Sequence, residues 1–391
     1  MSAQEETQEA SMQTIAQWWG RMQESLFPRL ERCLEEPLTE RQRQLVAVLE
    51  VVRIEEHVPR VWRWWGRPRC DRRALARAFV AKAVYNLPTT ELLIEALRGD
   101  GNLRRICGWE RADQVPSAPT FSRAFGELAT SRLLDRVHEA LVRQHLGPVL
   151  VGHVSRDSTE IEAREKPVPK AVAPKEARGR KGRRQRGPAS KGEERALPPP
   201  TRMERQMTQT PEAALAELPT ACDRGVKRNA QGYRESWIGY KLHLDVCDAG
   251  LPLLAVTSSA SLHDSQAAVP MARLTARRVT ALYEVMDSAY DAALIVPACR
   301  ELGHVPIIDS NPRGKEKVPF EPATARRYDE RTVVERANSR LKDAFGARFL
   351  RVRGAVKVHA HLMFGVLALF ADQWLKLRFG RAEPPADPAP A

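Results

Sequence analysis

The feature that most constrains this chain is a change of hydrophobic period near residue 147. Before it, apolar residues recur at i, i+3 and i+4, the spacing of one helix face. After it, short apolar runs alternate with the period of two that suits a pleated strand. Asp71 can cap a helix carrying Leu75, Ala78, Phe79 and Ala83, and Thr89, after Pro88, opens another with Leu92, Leu93, Ala96 and Leu97. Ser117 or Thr120 starts a third with Phe121, Ala124, Phe125 and Leu128, and Ser131 a fourth with Leu133, Leu134, Val137 and Leu141. Residues 1–146 are therefore expected to form an all-helical N-terminal domain.

Beyond that point, residues 149–154 read as a first strand, and residues 240–246, with Leu242, Leu244 and Val246 on one face, as another. The turn Cys247-Asp248-Ala249-Gly250 joins the latter to residues 251–256 as a hairpin. Two more strands, 279–286 and 305–308, flank a helical pattern through Ala292, Ile295, Val296, Cys299 and Leu302. Strands followed by alternating helix and strand predict an α/β fold, a mixed sheet flanked by helices over residues 147–382. The apolar helix over residues 355–379 is expected to pack on that sheet as core.

Charge points to a partner. The chain carries 62 Lys and Arg against 49 Asp and Glu, a net +13, which favours a polyanion such as nucleic acid. Residues 164–205 alone hold 14 Lys or Arg, 5 Glu and seven Pro, a net +9, and are expected to be a disordered basic insert. Such a segment is either a solvated linker or a phosphate-tracking arm. Residues 383–391 form a Pro and Ala tail, expected to be disordered. The six Cys are scattered without a Cys-x-x-Cys pair, against a disulfide framework or structural zinc. The start of the chain lacks a basic-then-apolar leader, and the longest apolar run, residues 362–371, is about half of what a bilayer span needs. A cytoplasmic protein, with no membrane partner, is expected.

Four residues suggest chemistry: Tyr328, Arg331, Glu335 and Lys342. On a continuous α-helix they project within roughly a 60° sector, opposite Val333, Val334, Ala337, Leu341, Ala344 and Phe345. A carboxylate among two cations and a phenol suits a phosphodiester site. A solvated helix face laced by ion pairs, such as Arg331 with Glu335 at i, i+4, would give the same pattern.

Two further carboxylates shift the balance. Asp157 follows the strand that begins at Val149, and Asp287 ends the apolar strand 282–287. Two strand-borne Asp and one helix-borne Glu form a pattern able to bind a pair of Mg²⁺ ions through oxygen ligands, with Mn²⁺ as a substitute. Asp264 and Asp291 are rival carboxylates, better suited to capping or support. His359 and His361 fall on different sides of a helix, and Trp62, Trp64 and Trp65 beside Arg63 and Arg67 read as buried aromatics before base-stacking ones.

The series Tyr328-x2-Arg331-x3-Glu335-x6-Lys342 resembles the Y-R-E-K signature of bacterial insertion-sequence transposases with an Asp, Asp, Glu triad. Asp157-Ser158-Thr159, Gly239-Tyr240-Lys241-Leu242-His243, His263-Asp264-Ser265 and Asp287-Ser-Ala-Tyr290-Asp291 are similar to that family as well, as is the helical segment 72–141. The resemblance implies a ribonuclease-H-like catalytic core in which Asp157, Asp287 and Glu335 are catalytic metal ligands. Tyr328, Arg331 and Lys342 would contact DNA phosphates. The implied activity is metal-dependent cleavage of double-stranded DNA at mobile-element ends and strand transfer into target DNA, by a homodimer associated with the nucleoid when acting. The basic insert departs from the expected pattern. The chain has no GxxxxGK[ST] phosphate loop, in keeping with a reaction that needs no nucleotide cofactor. A catalytically silent DNA-binding descendant, or a nuclease on the same core, are the alternatives.

Overall fold

A computed structural model describes residues 37–59, 70–169, 199–228, 232–312 and 318–380. The Trp62, Trp64 and Trp65 cluster, residues 170–198 of the basic insert and the tail lie outside the described residues. The helical part runs α1 (Glu40–Val52), α2 (Ile54–His57), α3 (Arg72–Val84), α4 (Thr90–Gly99), α5 (Gly101–Cys107), α6 (Ala118–Thr130) and α7 (Leu133–Leu146). It is followed by β1 (Leu150–Glu162), α8 (Arg202–Thr208), α9 (Pro211–Ala216), β2 (Asp223–Arg228), β3 (Arg234–Cys247) and β4 (Pro252–Ser259). Then come α10 (Ser265–Ala276), β5 (Thr280–Met286), α11 (Ile295–Glu301), β6 (Val305–Ile308), α12 (Pro322–Tyr328), α13 (Thr332–Ala344) and α14 (Ala355–Phe379).

Side-chain caps explain several of these starts. Thr39 and Gln42 close a capping box on α1, while Asp71 and Thr89 accept from the first-turn amides of α3 and α4. The expected helix from Ser131 begins two residues later: Ser131 closes α6, and Arg132, at φ 53°, turns the chain into α7. The expected insert is also shorter at its C-terminal end, because Thr201 and Glu204 form a capping box that starts α8.

The mixed sheet has the order β2-β3-β1-β5-β6, and β4 pairs with β3 on the same edge as β2. β1 lies antiparallel to β3 and parallel to β5, and β5 is parallel to β6. β1 is longer than its apolar start suggested. Asp157 therefore sits inside the strand, opposite Leu244 of β3, rather than just past its end. The polar second half of β1 is held by pairing to the long β3, a tertiary reason that strand propensity does not register.

One continuous core joins the helical part to the sheet. It includes Leu45, Phe79, Phe121 and Leu134 from the N-terminal helices, Leu242 and Leu244 from β3, Val334 and Leu341 from α13, and Phe364 and Phe370 from α14. Phe79 meets Phe121 at 5.7 Å and Phe364 at 5.5 Å between ring centroids. The α14 helix is long and apolar enough to cross a membrane, yet 83% of its most apolar stretch is buried within the fold. It packs on α1, α3, α6 and α7 as well as on β4, so it is the pin between two layers rather than a cover on the sheet alone.

Candidate active site

The sheet register brings two carboxylates together. Arg156 of β1 is level with Met286 of parallel β5, so Asp157, inside β1, and Asp287, just past the end of β5, each lie one residue further along. Burial, and next the charge of Asp287, push the Asp157 carboxyl up to about 7. Burial likewise raises Asp287, whose Oδ1 accepts from the Ala289 amide at 2.9 Å. Asn338 of α13 donates from Nδ2 to Asp157 Oδ2 at 3.3 Å.

Beside this pair lies a supporting cluster. Asp264 accepts from Lys241 Nζ at 2.8 Å. Burial alone would raise the Asp264 carboxyl, but His243 and Lys241 hold it below its ordinary value. The motif residues Lys241 and Asp264 thus form one ion pair next to the site. Asp291 accepts from the Asn311 amide at 3.0 Å and orders the loop after β6. His359 and His361 go to separate partners, Asp135 and the Gly346 carbonyl.

Glu335 is placed differently from the expectation of one continuous helix. Residues Asp329–Arg331 form a 3₁₀ turn between α12 and α13, which changes the angular step at Arg331. Arg331 Nη2 donates to Glu335 Oε1 at 2.5 Å. Burial alone would lower the Arg331 guanidinium, but Tyr328, Glu335, Asp157 and Asp287 around it raise it. Arg331 therefore stands among all three carboxylates, and its own ring neighbour is Tyr328, 5.9 Å away. Among the described residues no three His, Cys, Asp or Glu side chains are gathered closely enough to hold one ion. Asp157 and Asp287 are brought together; Glu335, with a side chain 48% exposed, is turned to Arg331.

Lys342 lies a further turn and more away, where its Nζ donates to Glu160 Oε1 at 3.1 Å. Glu160 also meets Lys227 of β2 at 2.9 Å. Burial alone would raise Glu160, but these two ammonium groups and a backbone hydrogen bond hold its carboxyl at about 2. The four residues read as one outward face thus divide: Tyr328, Arg331 and Glu335 flank the carboxylates, and Lys342 braces β1.

Beneath the site is a network that the sequence motifs do not single out. Arg156 is fully buried on the face of β1 opposite Asp157, donating to both oxygens of Asp245 at 2.7 and 2.8 Å and to Glu284 at 2.8 Å. Thr275 donates to Asp245 at 2.6 Å, and His304 bonds Glu284 at 2.7 Å. This network ties β3, β1 and β5 together directly behind Asp157. The available signal was alternation: Asp245 and Glu284 are charged residues beside apolar neighbours in their strands, whereas Arg156, in a polar stretch, carried no such signal. Asn338, three residues after Glu335, was legible by helical spacing alone.

The donor set suits a hard cation at its two-carboxylate core. Two carboxyls raised by burial and, at Asp157, by its neighbour's charge would be relieved by positive charge. The Tyr290 hydroxyl and the Asn338 Oδ1 are buried without a hydrogen-bond partner beside them, oxygens of the kind that order a hydrated ion.

Two family models match the chain. Residues 217–371 match the family model described as a transposase DDE domain, and residues 32–127 match a second model described as a transposase domain, DUF772. The first match spans Asp287 and Glu335 but begins after Asp157. No curated protein and no solved structure matches the chain.

Proposed function

The chain belongs to the insertion-sequence transposases of the DDE type, with a ribonuclease-H-like core, and from that premise we propose which residues act and how. Proteins of this family act on DNA and generally use divalent metal ions. The proposed activity is hydrolysis of a phosphodiester at the ends of the mobile element, followed by attack of the freed 3′-hydroxyl on target DNA. Asp157, Asp287 and Glu335 are the proposed ligands of two Mg²⁺ ions, which Mn²⁺ can replace. When bound, such ions stabilise charge on the attacking and leaving oxygens of an in-line displacement.

The observation that carries this reading is the alignment of Asp157, in β1, with Asp287, just past the end of the parallel neighbour β5, with Arg331 set among the carboxylates. Arg331 exchanges its carboxylate partner for a phosphate oxygen when DNA arrives, since both accept the same charge-assisted hydrogen bond. That exchange releases Glu335 toward Asp157 and Asp287. Tyr328 offers its hydroxyl to the same backbone, and Lys342 contacts phosphate by leaving Glu160. Asn338 orients the Asp157 carboxylate. Two copies of the chain, each holding one element end, complete the reaction, which takes place on DNA in the cytoplasm.

The test is cleavage of a labelled duplex carrying the flanking terminal repeats, with Mg²⁺ or with chelator, by wild type and Glu335→Gln. Metal-dependent nicking at the repeat boundary, lost in the variant, is expected. Wild-type rates in Asp157→Ala, Asp287→Ala or Glu335→Ala would overturn the residue assignment. The Arg331–Glu335 ion pair favours one second reading, a protein that binds element ends without cutting. Retardation of the duplex with no cleavage by either protein would select it.

A further inference from the structure

A cavity of about 500 Å³ lies between the N-terminal helices and the segment that joins α13 to α14. Its lining carries Lys82, Arg164, Arg351, Arg353 and Lys357 against a single carboxylate, Glu91. Among the described residues, none of the five cations forms an ion pair with a carboxylate. Cations are ordinarily interspersed with acids, so five against one carboxylate around a concavity call for an anion.

Three observations sharpen this. Lys82 is only 8% exposed, and among the described residues the one hydrogen bond of its ammonium is a long 3.5 Å contact to the Pro88 carbonyl. Burial pushes that amine down to about 8, a shift that a bound anion would reverse. The starts of α4, α6 and α14 also reach the cavity, through Thr90, Ala118 and Lys357. The start of α14 has no side-chain cap, so its first amides stay available to an outside acceptor, whereas at α6 Pro119 has no N–H and the Thr120 amide donates to the Ser117 carbonyl.

The position of the cavity identifies the ligand. β1 and α13 run side by side from the candidate active site: Asn338 bonds Asp157, then Lys342 bonds Glu160, and beyond them Arg164, Phe345 and Gly346 line the cavity. From Glu335 to Phe345 the helical rise is about 15 Å, roughly four phosphate spacings of a DNA strand. We propose that this cavity grips the sugar-phosphate backbone of the DNA strand a few nucleotides from the reacting phosphodiester. The inference rests on the reading that DNA is the substrate. The shared chemistry is a phosphate ester or anion, and the cation number favours a polymer over a single ion.

The experiment measures duplex binding by fluorescence anisotropy in chelator, without turnover. The probe is a duplex bearing a terminal repeat, and the proteins are wild type, Glu335→Gln, Lys82→Met and the triple variant Arg351→Gln/Arg353→Gln/Lys357→Gln. The three triple-variant positions are exposed, and equal thermal midpoints verify the fold. The triple variant is expected to bind at least about tenfold more weakly, with a salt slope smaller by about 2 to 3, since each phosphate that a cation neutralises adds about 0.9 to that slope. Lys82→Met is expected to weaken binding without changing sequence preference. Unchanged affinity and slope in a folded triple variant would overturn the proposal. So would a thermal shift by inorganic phosphate that the triple variant loses while its duplex binding stays intact, the mark of a small-anion site. Weaker binding by the triple variant in a protein that never cleaves would uphold the cavity and count only against the catalytic reading.

Discussion

Arg331 Nη2 and Glu335 Oε1 stand 2.5 Å apart across one turn, and the same guanidinium faces Asp157 and Asp287. A positive charge thus stands among the carboxylates proposed to hold metal, where it would compete with a cation for them. Arg331→Ala is expected to tighten Mg²⁺ or Mn²⁺ binding severalfold in the absence of DNA, measured by calorimetry, while lowering cleavage. Unchanged metal affinity would show that Arg331 does not compete.

Relief of repulsion between two carboxyls should appear as stability. Millimolar Mg²⁺ is expected to raise the thermal midpoint of the wild type, by the linkage of a ligand to the folded state, worth about 1.4 kcal/mol at ten times Kd. Asp157→Asn and Asp287→Asn should each abolish that rise. A rise that survives in both variants would place the ion elsewhere.

The buried Arg156 network makes a sharper demand on the fold. Arg156→Met leaves Asp245 and Glu284 without their shared cation in the core, a change expected to cost about 3–5 kcal/mol. Urea denaturation measures it, and a loss below about 1 kcal/mol would mean that the carboxylates find other partners.

Acid sensitivity follows from buried histidines far from the carboxylates. Burial pushes His138 down to about 3 and His361 down to about 4, so the folded protein keeps both rings neutral. An unfolded histidine titrates near 6.5, so below that pH the unfolded state binds more protons than the native one. The stability they contribute is complete above about pH 6.5 and is lost as pH falls toward the folded values. His138→Gln, which can still donate to the Pro252 carbonyl, should flatten the decline between pH 6.5 and 4 in urea titrations. An unaltered slope would assign the acid transition to other groups.

Gly239, in the segment Gly239-Tyr240-Lys241-Leu242-His243, has φ 155°, and a β-carbon there would lie 2.1 Å from the Ile161 carbonyl oxygen. That clash is with the backbone of β1, so it has no flexible side chain to yield. Gly239→Ala is expected to destabilise the fold by about 2 kcal/mol or more and to loosen β1 against β3. Wild-type stability by thermal melting would contradict this.

Helix starts with a local oxygen cap, such as Asp71 and Thr89, were legible because one side chain settles them. The apolar strands 240–246 and 279–286 were legible because their alternation or apolarity is written in adjacent residues. The polar half of β1 was not, since its order comes from pairing with β3. Of the candidate site, Arg331 and Glu335 were picked out by motif spacing, and Asp157 and Asp287 by their expected places at strand ends. Their mutual distances were not, because a single 3₁₀ turn at Asp329–Arg331 and one ion pair decide where Glu335 points.

Local chemistry within a few residues determined the helical first part, the mixed sheet and the carboxylates on offer. Register is a long-range property: the level of Arg156 with Met286 aligns Asp157 with Asp287 across more than a hundred residues of chain. Charge pairing is long-range as well, so only the folded chain could turn Lys342 to Glu160, bury Arg156 between Asp245 and Glu284, and leave Lys82, Arg351 and Arg353 around one cavity. Coulomb attraction and desolvation depend on distances in space, which residue spacing along the chain does not encode.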